Sequence, residues 1–239
     1  MRFDQLPLRR VVEANSRPLD RETWPGTLAP VRALLDGLDL GAATVIVGEN
    51  GAGKSTLVEG IAGAWGFPVE GGSTWEQRAA LGDDARLARH LQLVRGVGTD
   101  KSGFFLRAET MHQFAVHLRD DAESPRGQRL LTRSHGESFI DTLLAAATYS
   151  GLWILDEPES ALSFQGQLTL LSLLRERVAA GSQILMSTHS PILAALPEAR
   201  LVEVGEWGLR DAVWEDLEIV AHWRSFLDAP ARYLRHLAP

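Results

Sequence analysis

Few folds accommodate the segment Thr44-Val45-Ile46-Val47-Gly48-Glu49-Asn50-Gly51-Ala52-Gly53-Lys54-Ser55-Thr56. Thr44 to Val47 is a short β-branched run, the pattern of a buried strand. Gly48 to Gly53 is a glycine-punctuated turn, and Thr56-Leu57-Val58-Glu59-Gly60-Ile61-Ala62 opens an amphipathic helix. Strand, Gly-x-x-x-x-Gly-Lys-Ser turn and helix, in that order, read as a phosphate-binding loop. Gly51 and Gly53 lack Cβ atoms, so backbone N–H groups there can point inward at phosphate oxygens, with Glu49, Asn50 and Ala52 completing the turn. The helix N-terminus adds partial positive charge. Lys54 is placed to reach the β- and γ-phosphates of a nucleotide, with Thr56 beside it, and the Ser55 hydroxyl to ligate Mg²⁺. A turn that merely joined a strand to a helix would not need Lys54-Ser55-Thr56.

A second motif completes the chemistry. Leu152-Trp153-Ile154-Leu155 is an apolar strand ending in Asp156-Glu157, and Pro158 stops it. Two carboxylates at one strand end can line a single cleft. Asp156 is expected to hold Mg²⁺ through water, and Glu157 to orient or deprotonate an attacking water. Gln183 to Ser187 is a further strand, followed by Thr188-His189-Ser190-Pro191; His189 is expected to contact the γ-phosphate or that water. Gly103 to Ala108 reads as a strand, with Glu109 at its end, where open α/β sheets bind ligands. Ser134-His135-Gly136-Glu137-Ser138 precedes a helix running to about Ala147. Ser134 and Glu137 can form a capping box, but Gly136 weakens a first turn and suits close approach of a ligand to the backbone. Trp24, in a loop before the phosphate loop, either stacks on an adenine ring or packs on the core edge.

The rest of the chain supplies scaffold. Leu6 to Ala14 reads as an edge strand, with Pro7 at its start. Trp75 to Leu93 is a polar, arginine-rich stretch that reads as a solvated helix. Leu168, Leu171, Leu174 and Val178 recur at helical spacing, and Gly181 suits the helix stop. Leu201–Val204 and Leu209–Trp214 read as a hairpin, and Leu217–Leu237 as a final helical stretch broken at Pro230. The 239 residues are enough for one α/β domain. Cysteine is absent, which excludes disulfides and thiolate metal sites. No stretch approaches the roughly 20 apolar residues of a spanning helix, and the N-terminus lacks a signal-peptide core, so a cytoplasmic protein is expected. A net charge of −7 argues against a broadly basic nucleic-acid surface and leaves a local groove open.

In order and content these motifs resemble those of the ATP-binding-cassette (ABC) ATPases. The phosphate loop is Gly48 to Ser55, and Glu109 lies where that family has its Gln loop. Ser134 to Ser138 resembles the Leu-Ser-Gly-Gly-Gln signature. Leu155 to Pro158 resembles Walker B with its catalytic Glu, Ser160 to Ser163 the D-loop, and His189 the switch histidine. Val47 to Gly51, Phe104 to Glu109 and Thr188 to Pro191 are most similar to a branch of small stand-alone ATPases related to the repair and chromosome-maintenance ATPases. His135 and Glu137 replace Gly and Gln of the signature, Glu109 replaces Gln, and Ser163 stands where transporters carry Asp. These departures weaken a transporter reading, and the loop-to-signature spacing is too short for long coiled-coil arms.

The resemblance implies an α/β fold with a mostly parallel central sheet, flanking helices, an antiparallel β edge and a helical subdomain over about residues 75–150, within a single domain spanning 1–239. It implies binding and Mg²⁺-dependent hydrolysis of ATP, with two chains sandwiching two ATP molecules head to tail. Ser134, Gly136 and Glu137 of one chain would meet the nucleotide held by the other, and Glu109 would join Ser55 and Asp156 at the metal. The competing readings are a nucleotide-dependent interaction module with an unidentified protein partner, an ATP-binding subunit of a transporter, a DNA-repair or defence ATPase, and a small-molecule kinase.

Overall fold

Strand β3 (Ala43–Val47) is buried at every residue, as its mostly apolar, β-branched run suits an interior strand. It was located in a computed structural model that describes residues 5–68, 72–73, 86–99, 101–107, 143 and 150–235. In chain order the other elements are β1 (Leu8–Glu13), α1 (Ala29–Asp36), β2 (Leu38–Asp39), α2 (Lys54–Trp65), β4 (Gly72–Ser73), β5 (Leu91–Arg95), β6 (Gly103–Arg107), β7 (Leu152–Asp156), α3 (Phe164–Ala179), β8 (Gln183–Thr188), β9 (Arg200–Gly205), β10 (Gly208–Ala212), α4 (Glu218–Asp228) and α5 (Pro230–Leu234).

A seven-stranded sheet runs β10-β9-β3-β8-β7-β6-β4. Its inner strands are parallel, and β10 and β4 close the two edges antiparallel. Side chains alternate across the sheet with the strand period of two. Ile46, Ile154, Leu185 and Val202 face a core completed by Leu34 of α1, Leu57 and Ile61 of α2 and Val11 of β1. Val45, Val47, Trp153, Leu155 and Met186 face the other way, onto Leu170, Leu173 and Leu174 of α3 and Ile219 and Val220 of α4. The fold is therefore the α/β architecture with a mostly parallel sheet that the motifs imply.

Three expectations need correction. Leu6 to Ala14 does not form an edge strand: β1 is the middle strand of a separate three-stranded antiparallel sheet, β2-β1-β5. The partner on its far side comes from the stretch read as helical to Leu93. There, a short 3₁₀ turn over Leu87–His90 leads into strand β5. Pairing with β1, distant in sequence, overrides local helix-compatible composition. On α3 the buried stripe is Leu170, Leu173 and Leu174, while Leu168 is exposed and Leu171 and Val178 lie at the margin. The helix stop at Gly181, the hairpin of β9 and β10, and the final helical stretch broken at Pro230 are as expected. Most of the expected 75–150 helical subdomain lies outside the described residues.

The two sheets are fastened together by side chains: Arg200 of β9 donates to the Asp39 carbonyl of β2, and Gln183 makes the more buried link. Gln183 of β8 is 1% exposed. Its amide accepts from Leu8 N–H at 2.8 Å and donates to the carbonyls of Leu8 at 2.6 Å and Gly41 at 2.9 Å. It pairs with β1 as a backbone peptide would. Gln183→Leu leaves those groups buried and unpaired, so it is expected to cost about 3 kcal/mol of stability. The check is urea denaturation, in which the midpoint falls and the slope stays the same.

Candidate active site

Strands β3, β8 and β7 are adjacent and parallel, with Val47 in register with Thr188 and Ser187 with Asp156. Their C-terminal ends therefore open on one edge of the sheet, where ligands bind in folds of this kind. The phosphate loop leaves β3, Thr188-His189 leaves β8, and Asp156-Glu157 leaves β7.

The loop has the backbone its glycines allow. Gly51 at φ 81° and Gly53 at φ 95° are left-handed, and Gly53 caps α2. At Gly51 an added Cβ would meet nothing within 4 Å, so the requirement there is conformational rather than steric. The loop curls around Lys54, which is 2% exposed. Its ammonium donates to the Glu49 carbonyl at 2.8 Å and pairs with Glu157 Oε1 at 2.9 Å.

Asp156 is buried and accepts a hydrogen bond from Ser187 Oγ at 2.5 Å. Burial pushes its carboxyl above the usual range and the Glu157 charge adds to this; hydrogen bonds from Ser187 and Ser55, with Arg107 nearby, oppose it. Ser55 and Asp156 are thus in contact, and the buried carboxylate's charge is incompletely offset. One hydroxyl and one carboxylate are the protein ligands Mg²⁺ takes when nucleotide phosphates supply the rest, so this donor set fits the ion. Among the described residues no group of three or more His, Cys, Asp or Glu forms an all-protein metal cage.

Glu157 holds a left-handed backbone, φ 46° and ψ 53°. Its N–H is held at 3.2 Å by both the carbonyl and the hydroxyl of Ser187. Its side chain lies between Lys54 and His189, whose Nδ1 is 3.5 Å from Glu157 Oε2. Lys54, Ser55, Asp156, Glu157 and His189 are therefore gathered at one place.

Residues 138–195 match the family described as "AAA domain, putative AbiEii toxin, Type IV TA system". The cytochrome c biogenesis ATP-binding export protein CcmA of Rhodopseudomonas palustris is 30% identical over 188 residues, covering 71% of this chain and 91% of the relative. The chain belongs to the ABC ATPases. CcmA of Nitrobacter winogradskyi is 32% identical over 190 residues, with 71% and 91% covered. Among solved structures, the SMC head domain from Thermotoga maritima is 16% identical at a TM-score of 0.48, covering 87% of this chain and all (100%) of that one. The protein is accordingly an ATP-binding enzyme, a hydrolase of the P-loop class.

In this ABC ATPase four expected site residues, Glu109, Ser134, Gly136 and Glu137, lie outside the described residues. Trp24 is half exposed. Beside the phosphate loop is a cleft of about 660 Å³, walled by Thr27 to Pro30, Gly48 to Ala52, the β9–β10 turn and Glu218. Trp24 does not line it, whereas Trp207 does, with the Arg210 guanidinium 3.9 Å from its ring centroid. Sequence reasoning passed over Trp207 and also Glu159, which is buried beside His189. Glu159 is marked only by its contacts with Thr188 and His189, which its local sequence does not show. Nothing in the local sequence marks Trp207.

Proposed function

We propose that this ABC ATPase hydrolyses ATP with Mg²⁺ between two of its own chains arranged head to tail, and that nucleotide state sets whether the pair is closed. The observation that carries this reading is the contact set of Lys54, Ser55, Asp156, Glu157 and His189 at three neighbouring strand ends. The loop from Glu49 to Thr56 would cradle the phosphates, with Lys54 on the β- and γ-groups. Ser55 and Asp156 would hold Mg²⁺, joined by Glu109, and the ion would offset the charge that develops on the phosphates. Glu157 would take a proton from water as the water oxygen bonds to the γ-phosphorus and the ADP oxygen departs. His189 would contact the γ-phosphate. Ser134, Gly136 and Glu137 of the second chain would complete the site, by their resemblance to the signature motif.

The cleft beside the loop is suited to the nucleoside, with Trp207, which lines it, beside the base. Among the described residues no helix is long and apolar enough to cross a membrane, and a cytoplasmic location is part of this proposal. The relatives named as export proteins favour a second reading, an ATP-binding subunit acting with a separate membrane chain.

Light scattering after size exclusion, with phosphate release assayed on the same samples, tests the dimer. Glu157→Gln protein is expected to pass from monomer to dimer on addition of Mg·ATP, while wild type releases phosphate and does not accumulate as dimer. A monomer under every condition, with no phosphate released, would overturn the proposal and favour the partner-dependent subunit.

A further inference from the structure

Glu159 has no part in the mechanism above, yet it is among the most buried acids of the described residues, at 7% exposure. Its Oε1 accepts from the Thr188 hydroxyl at 2.7 Å and from the His189 backbone N–H at 2.6 Å. The same oxygen lies 3.2 Å from His189 Nδ1, which is buried and makes no hydrogen bond among the described residues, so the two meet at ion-pair distance only. Its Oε2 is buried without a hydrogen-bond partner among the described residues. A group needed only to tie down a strand exit would be better satisfied as an amide or hydroxyl, because a buried carboxylate oxygen without a partner is costly.

We propose that Glu159 is the residue that positions His189, fixing its backbone through the N–H and setting a carboxylate oxygen at ion-pair distance from Nδ1, so that Nε2 is left for the γ-phosphate. The idea rests on the ATPase reading of His189. A carboxylate against one imidazole nitrogen keeps the proton there and thereby sets the tautomer. The rest of the His189 loop is fastened by bonds that do not involve Glu159: Ser190 Oγ donates to Gln167 Oε1 at 2.5 Å, and the Trp214 indole donates to the Pro191 carbonyl at 2.8 Å. With the loop held by those bonds, what Glu159 adds is the placement of one residue.

The test uses the full chain with Glu159→Ala, Glu159→Gln, His189→Ala and the Glu159→Ala/His189→Ala double variant. Glu159→Ala is expected to lower kcat about ten- to a hundredfold, as loss of a carboxylate behind a working histidine does, with ATP affinity held to about twofold. Glu159→Gln should recover part of this loss, because its carbonyl oxygen still accepts from Thr188 and His189. In the double variant, kcat should match that of His189→Ala alone. Equal losses from Glu159→Ala in the presence and absence of His189 would overturn the proposal, as would an unchanged kcat in His189→Ala or in Glu159→Ala. The ¹⁵N resonances of the His189 ring give a readout free of turnover and of any folding defect in the alanine variants. Wild type should show the Nδ1–H tautomer and Glu159→Gln a mixture, and identical spectra would overturn the proposal. If wild type releases no phosphate while the spectra differ, the ATPase reading fails and the positioning of His189 by Glu159 stands.

Discussion

ATP will raise the melting temperature of Lys54→Ala protein by only about 1 °C. Lys54 is 2% exposed and makes two short polar contacts, to the Glu49 carbonyl and to Glu157. Its ammonium is therefore already desolvated and aimed into the mouth of the loop. A phosphate arriving there gains charge-assisted bonds worth about 3 kcal/mol or more in total, so the alanine variant should bind ATP about a hundredfold more weakly. Ligand at a hundred times its dissociation constant stabilises a protein by about 2.7 kcal/mol. For a chain of this size that corresponds to a rise of roughly 5–10 °C in wild type. The same ATP concentration should move the variant by about 1 °C or less, since the site would be barely half filled. Differential scanning with and without Mg·ATP decides the matter. An equal shift in both proteins would mean that the nucleotide is held elsewhere.

Glu157→Gln separates binding from turnover. Removing a general base typically costs about 10²–10⁴ in rate. The amide keeps the shape of the side chain, and its carbonyl oxygen can still accept from Lys54, but it cannot take a proton from water. The backbone constraint at 157 is the same for both residues. Phosphate release should fall by about a thousandfold while ATP affinity changes by less than about threefold. Single-turnover phosphate release and equilibrium ATP binding on the same preparation give the two numbers. A rate within threefold of wild type would remove Glu157 from the mechanism.

What could be read from the chain was what short segments settle by themselves. Thr44 to Thr56 carries a strand, its turn and a helix start within one stretch, so the loop geometry around Gly51, Gly53 and Lys54 followed from local rules. The apolar strands before Asp156 and His189 were legible for the same reason, and parallel pairing then brought their ends together. β5 was not legible. Leu91 to Arg95 is strand only because β1 lies alongside it, and β1 is some eighty positions earlier, so composition pointed to helix. The same pairing turned β1 from an edge into a middle strand. Glu159 was passed over because its meaning depends on Thr188 and His189, which only the neighbouring strand supplies. Leu168 was misassigned because the leucine-rich face of α3 offers two overlapping helical stripes, and contact with the sheet selects the one through Leu170 and Leu174.

The left-handed backbone at Glu157 also bears on how such a chain changes over generations. A side chain other than glycine costs roughly 1–2 kcal/mol in that conformation, and the position is held by Ser187 whatever residue occupies it. Glycine there would relieve the strain and end turnover. Against that relief stands Lys54, buried and paired with Glu157 Oε1 at 2.9 Å, which glycine would leave without its carboxylate. In a copy released from turnover, position 157 would therefore drift towards residues that still accept from Lys54, such as glutamine, rather than towards glycine. Where the glutamate persists over glutamine, its proposed part in turnover is the constraint that would keep it there.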